Sequence, residues 1–210
     1  MKRWMFLILV CVSSMAGAQT LPAYEEFKPG DKLTYNTKVG FKSSKYEFIF
    51  QEVSPSFVKG ITTMDGKQMD FEAPAHGYLG KEFCLADVMA CEWTPPVKLF
   101  DQSTQLNDKW SATTIVSLQN KVLVEEVITH SAEKFEKIKI AAGEFGAIKI
   151  SATGSMKAKT PKGEIYTGSL KMTTWMGVAN NRLVMLKREY SNTFKQSFLQ
   201  ELSKPPELAN

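Results

Sequence analysis

The side chains able to do chemistry are few. His76 and His130 are the only two histidines of the chain, and Ser131 directly follows His130. A Ser-His-Asp relay needs a histidine oriented by a carboxylate and held against a nucleophile. Neither histidine is accompanied by a Gly-x-Ser-x-Gly elbow, a phosphate loop or a dinucleotide fingerprint. His130 reads more simply as an exposed or hydrogen-bonded residue at a strand end. His76 reads as a loop residue beside Gly77-Tyr78. Glu125 and Glu126 are adjacent carboxylates, but neighbours on a strand point to opposite faces and cannot work as an acid and base on one substrate. No catalytic residue is assigned, and the chain is read as non-enzymatic. The histidines lack metal-ligand spacing, and no metal or cofactor is called for.

Two cysteines offer a different chemistry. Lys2 and Arg3, the apolar stretch from Trp4 to Val12 and the small residues Ala16-Gly17-Ala18 form a signal peptide over residues 1–18. Cys11 falls inside it. The mature chain, beginning at Gln19, then keeps Cys84 and Cys91, an even pair in an exported protein. Their spacing is wider than the C-x-x-C of redox centres, so a structural bridge is predicted. In the chain-entropy account such a short loop is worth about 2.5 kcal/mol, less any strain. The location is periplasmic or secreted. No later stretch reaches eighteen apolar residues, so no transmembrane span is predicted after cleavage.

The elements that position these residues follow a two-residue period. Leu33, Tyr35, Thr37 and Val39 alternate with polar residues, and Tyr46, Phe48 and Phe50 continue the pattern. Met64-Asp65-Gly66-Lys67 is a hairpin signal. Residues 73–98 break the rhythm with Pro74, Gly77, Gly80 and Pro95-Pro96, and are read as an irregular excursion pinned by the disulfide, with a short helical turn over 85–90. Strands return from Trp110, with turns at Gln119-Asn120, Ala141-Ala142-Gly143-Glu144 and Thr160-Pro161-Lys162-Gly163. Phe194, Phe198 and Leu202 fit a helix, whereas Phe194, Gln196 and Phe198 fit one face of a strand; the strand is preferred. Nine to eleven strands without βαβ alternation predict a single all-β domain over 19–210. It is a curved antiparallel sheet forming an open or partly closed barrel.

Charge and apolar patterning point to partners. Residues 19–120 carry ten Lys and Arg against thirteen Asp and Glu, while residues 121–200 carry thirteen against seven. Lys137, Lys139, Lys149, Lys157, Lys159 and Lys171 occupy outward strand positions. Such a face suits anionic lipid headgroups or an acidic partner, and equally a solvated face that protects sheet edges. The near-neutral total gives no basis for nucleic-acid binding. Leu170, Met172 and Met176 share one face of a strand, and Ile148 and Ile150 that of the strand before it. These five are the candidate ligand-binding residues, because adaptable Met-rich surfaces suit apolar ligands; plain core packing is the simpler alternative.

Trp110, the run Ile138-Lys-Ile-Ala-Ala-Gly-Glu-Phe145-Gly-Ala-Ile-Lys-Ile150, Thr173-Thr-Trp175 and the basic strand Leu183-Val-Met-Leu-Lys-Arg188 resemble a family of uncharacterised exported bacterial proteins. The Ala-Gly-x-Phe turn followed by Ala-x-Lys-Ile is the most specific piece. The family is similar in fold to the periplasmic lipoprotein-carrier (Lol-type) proteins, whose unclosed β-barrel holds acyl chains. The resemblance implies an open barrel in the cell envelope and supplies no catalytic residues. Together these readings predict a non-catalytic envelope protein that binds an apolar or lipid-like ligand in a concave sheet. The alternative is an interaction module that docks on an envelope protein partner. The cysteine reading is checked by mass spectrometry: the native chain is expected to be lighter than the reduced chain by two hydrogens, and equal masses would exclude the bridge.

Overall fold

The computed structural model describes residues 21–54, 56–84 and 89–209. The predicted signal peptide, residues 85–88 and the side chain of Cys84 lie outside the described residues. Twelve strands run in chain order: β1 (Lys32–Val39), β2 (Lys42–Ser54), β3 (Phe57–Met64), β4 (Lys67–Ala73), β5 (Tyr78–Cys84), β6 (Met89–Lys98), β7 (Lys109–Leu118), β8 (Leu123–Ile140), β9 (Gly143–Lys159), β10 (Ile165–Ala179), β11 (Arg182–Asn192) and β12 (Ser197–Leu202). Each pairs antiparallel with its neighbours in sequence, and β12 pairs with β1, so the sheet closes into an up-and-down barrel.

The local chemistry explains the turns. Asp65 and Gly66 both take positive φ between β3 and β4, as a two-residue hairpin turn requires. Asn180 and Asn181 do the same between β10 and β11, asparagine being the side chain best suited to the left-handed region after glycine. The Ala-Gly turn joins β8 to β9, the two longest strands, and these pair in register from Leu123↔Lys159 to Ile140↔Gly143. Along β8, Val124, Ile128 and Ala132 are buried while Leu123, Glu125, Val127 and Thr129 are exposed. The whole barrel is apolar inside and carries its lysines outside, the reverse of a barrel whose outer face meets lipid tails.

Three sequence expectations are corrected. The strands number twelve, and the barrel is closed rather than open. Closure comes from β1 and β12, where Tyr35↔Leu202 through Val39↔Phe198 form a continuous ladder. The stretch 73–98 is not an irregular excursion, because β5 and β6 occupy most of it. Its breakers mark sheet irregularities instead. Gly80 lies where a side chain would fall 2.2 Å from the Glu72 carbonyl oxygen, so only glycine admits the approach of β4 to β5. Glu72↔Lys81 is the one pair of that seam. Pro95 and Pro96 sit in a bulge of β6, between the pairs Leu79↔Val97 and Lys81↔Glu92, where no ladder N–H is required. The predicted helical turn over 85–90 falls mainly outside the described residues, and Met89 and Ala90 begin a strand. The C-terminal segment is a strand, as preferred.

The chain termini are tied to the barrel by one buried ion pair. Arg182 Nε donates to Asp31 Oδ2 at 2.9 Å, and both side chains are sealed from solvent. Asp31 also accepts the backbone N–H of Lys28 and of Ala209, each at 2.9 Å. Burial pushes the Asp31 carboxyl up, but these two N–H groups and the Arg182 guanidinium outweigh it and hold it below its ordinary value. A carboxyl depressed in this way stabilises the fold above its unfolded value, near 3.8, and loses that contribution as pH falls through the lower folded value. Arg182→Leu, which leaves Asp31 buried with no cation, is expected to cost about 3 kcal/mol in urea unfolding at neutral pH. Unchanged stability would show that the pair carries no weight.

Candidate functional site

The barrel has two unlike ends. The loop end gathers residues 21–31, 74–77, 99–108 and 203–209. The hairpin end gathers the short turns 40–41, 65–66, 119–122, 160–164 and 193–196. Aromatic side chains fill the loop end. Phe27, from the segment before β1, stacks on Phe50 with ring centroids 4.3 Å apart, and His76 packs against Phe27 at 4.6 Å and edge-on to Phe100.

Among the described residues, two cavities meet inside the barrel. The one nearer the loop end measures about 60 Å³ and is lined by Leu33, Tyr35, Phe48 and Phe50, among others. The one nearer the hairpin end measures about 130 Å³. Its walls are Val116, Val124, Ile128, Met156, Leu170 and Met172. The exposed Gln196, in the turn between β11 and β12, marks its mouth. Leu79, Glu82 and Arg188 line both cavities and so form the partition between them.

The partition is polar inside an apolar barrel. Arg188 is 5% exposed and donates from Nη2 to Gln200 Oε1 at 3.1 Å; its guanidinium also lies over the Phe198 ring at 5.1 Å. Burial pushes the Glu82 carboxyl up to about 7, against the attraction of Arg188. Glu126, from β8, lines the larger cavity and is pushed up to about 7 by burial, against the opposing effect of the Trp93 indole. The site therefore offers an apolar wall with one cation and the Glu82 carboxyl at its inner end, and the Glu126 carboxyl on the wall nearer the mouth.

Of the five residues proposed from sequence, Leu170 and Met172 line the larger cavity. Ile148, Ile150 and Met176 are buried further toward the loop end, where they pack the core without lining it. Arg188, Glu82 and Gln200 were not singled out as site residues, and Glu126 was weighed only as half of an adjacent carboxylate pair. A signal existed for two of them. Glu126 falls between Val124 and Ile128, and Arg188 between Leu186 and Tyr190, each a charged residue at an inward position of an alternating strand.

The histidines take structural places. His130 is buried and stacks on Trp110 with rings 5.0 Å apart and nearly parallel; the Trp110 indole donates to the Lys98 carbonyl oxygen at 2.9 Å. Burial lowers His130 to about 4, with Lys98 adding to the effect, and burial alone lowers His76 to about 4. Both rings are neutral at physiological pH. Among the described residues no cluster of three metal-ligating side chains occurs. Cys84 closes β5 opposite Met89, and Cys91, buried in β6, stands opposite Glu82.

A sequential twelve-strand antiparallel barrel with a partitioned, apolar-lined interior defines the class of fold. No protein-family model matches the sequence, and no curated protein matches it. The fold is similar to that of a proposed lipoprotein from Parabacteroides distasonis, at 13% identity and a TM-score of 0.54, covering 89% of this chain and 99% of that one. A proposed exported protein with a YmcC-like fold from Bacteroides fragilis aligns at 14% identity and a TM-score of 0.48, over 87% and 98% of the two chains. The hypothetical lipoprotein YmcC of Escherichia coli aligns at 11% identity and 0.45, over 88% and 91%. The first comparison shows a shared fold, and the other two add no weight to it.

The buried carboxyls give a pH signature. A carboxyl whose folded value lies near 7 and unfolded value near 4.5 binds more protons when folded, so stability declines as pH rises from about 4.5 toward 7. Glu126→Gln is expected to flatten that decline and to stabilise the protein at neutral pH. Urea titrations at several pH values read it, and an unaltered slope would show that Glu126 does not titrate in this range.

Proposed function

We propose that this chain is a non-catalytic protein of the cell envelope, periplasmic or secreted, that holds an apolar or lipid-like molecule inside its barrel. The larger interior cavity carries this reading. It is mostly apolar, opens at the hairpin end and is bounded by Leu170 and Met172, two of the five residues read from sequence as adaptable walls. The leader sequence and a fold shared with a proposed lipoprotein support the location. The buried, neutral histidines support a role outside catalysis. The bridge between Cys84 and Cys91 belongs to this reading, because an oxidising compartment sustains it.

A second reading rests on the outer face. Ile115, Leu123, Val127 and Ile165 are exposed, and the register Leu123↔Lys159↔Ile165 places them on one stretch of β7 to β10 beside the hairpin end. Such a patch among lysines suits docking on a partner protein of the envelope.

Protein purified gently from its own envelope and extracted with organic solvent is expected to release a stoichiometric apolar molecule, identified by mass spectrometry. Met172→Trp, which fills the cavity, is expected to lower the retained amount at least about tenfold while the β-sheet circular dichroism is kept. A wild-type extract free of any such molecule would reject the carrier and favour docking.

A further inference from the structure

The partition between the two cavities carries charge that the protein leaves unanswered. Arg188 is nineteen-twentieths buried, yet among the described residues no carboxylate lies within ion-pair distance of it. Among the described residues its hydrogen-bond acceptor is the neutral side chain of Gln200. Arg188 Nε and Gln200 Nε2 are both sealed from solvent and find no acceptor in the protein. Arginine stays protonated in any protein, so the site cannot relieve itself by losing a proton, as a buried lysine would. A buried, unpaired cation with idle donors is costly, and native structures place such groups where something else answers them.

The surroundings say what that something is. Both cavities reach Arg188, so a group seated on it has the larger cavity on one side and the aromatic-packed loop end on the other. The titratable neighbours of Arg188 are Glu82 on β5, Tyr35 on β1 and Tyr46 on β2, while Glu126 on β8 lines the larger cavity. Burial keeps both carboxyls reluctant to ionise, so neither is a ready counter-ion. A carboxylate matches the guanidinium edge in both charge and fork geometry. Beyond the head, Ile128, Met156, Leu170 and Met172 offer an apolar wall that runs toward the exposed Gln196, with Glu126 and Tyr190 beside it.

We propose that the ligand is an aliphatic acid: its carboxylate pairs with Arg188 at the partition, with Gln200 Nε2 as a second donor, and its hydrocarbon chain runs through the larger cavity toward the hairpin end. This rests on the carrier reading above and names the ligand class for it. Gln200 turns from a passive contact into a positioning residue, since its Oε1 holds Nη2 and leaves Nε free for the head group. Burial weakens Glu82 and Glu126 as acids, so the carboxylate of the ligand is the more fully ionised partner for Arg188.

The test uses delipidated, full-length mature protein and isothermal titration calorimetry with three probes of equal chain length: dodecanoate, dodecanol and dodecyl phosphate. Dodecanoate is expected to bind wild-type protein at least about tenfold more tightly than dodecanol. Arg188→Gln is expected to abolish that preference, bringing the acid down to the affinity of the alcohol, and Arg188→Lys to retain part of it. In the ligand-free protein Arg188→Gln is expected to raise the melting temperature, because it removes an uncompensated buried charge; a residue with a purely structural role would lower it. Equal binding of dodecanoate and dodecanol by wild-type protein would overturn the head-group assignment and leave the carrier reading standing. Tighter binding of dodecyl phosphate than dodecanoate would replace the carboxylate by a phosphate head. No binding of any probe would overturn both readings. The wild-type comparison holds whether or not the variants fold.

Discussion

The ion pair between Asp31 and Arg182 is the point on which the closed barrel turns. A sheet built from sequential hairpins closes only if its first and last strands meet, and the ladder between β1 and β12 makes that contact. Asp31 stands immediately before β1 and Arg182 opens β11, while Ala209, near the C-terminus, donates to the same carboxylate. One sealed carboxylate thus gathers the segment before the first strand, the turn before the eleventh and the tail after the twelfth. Its burial makes the arrangement specific, because any packing that exposes Arg182 elsewhere strands Asp31 without a cation. With the loop end held there, Phe27 can stack on Phe50 and close that end with aromatic rings. The hollow is left at the opposite end.

The interior divides according to side-chain size. Near the loop end Phe48, Phe50, Phe71 and Phe100 fill the section almost completely. Toward the hairpin end β8, β9 and β10 present Ile128, Ala152, Met156 and Met172, which are slimmer, and a twelve-strand circumference is too wide for them to meet across it. A cavity is the geometric outcome. The polar layer of Glu82, Arg188 and Gln200 sits at the change from filled to hollow, where a ligand would find its only charged contact. Inward-facing charge at that depth costs stability, and Arg188 is its clearest instance.

Much of the strand pattern was legible without coordinates. The alternation at Leu33–Val39, the Asp65-Gly66 hairpin and the Ala-Gly turn before Phe145 all appear where the residues predict them, because each depends on neighbours within a few positions. The stretch 73–98 misled because Gly80 and Pro95-Pro96 are loop formers in isolation. Across a seam and in a bulge they serve the sheet instead, and only the approach of β4 and the interruption of the β5–β6 register reveal it. Leu170 and Met172 were found by face and residue type. Ile148, Ile150 and Met176 share that face but lie at a different depth, and depth along a barrel axis is not a property of a single strand.

What the sequence by itself determined is the all-β class, much of the hairpin order and the inward parity of its clearest strands, since these follow from local periodicity and turn chemistry. Only the tertiary structure decided that the sheet closes, that one end is filled while the other is hollow, and that Arg188 and Glu82 meet at one partition with Glu126 on the cavity wall beyond it. Those outcomes depend on the register between strands far apart in the chain and on how many side chains compete for one cross-section. A charged residue in an apolar rhythm is visible in the sequence as an anomaly, and its partners come into view only when β5, β8, β11 and β12 are placed around the same hollow.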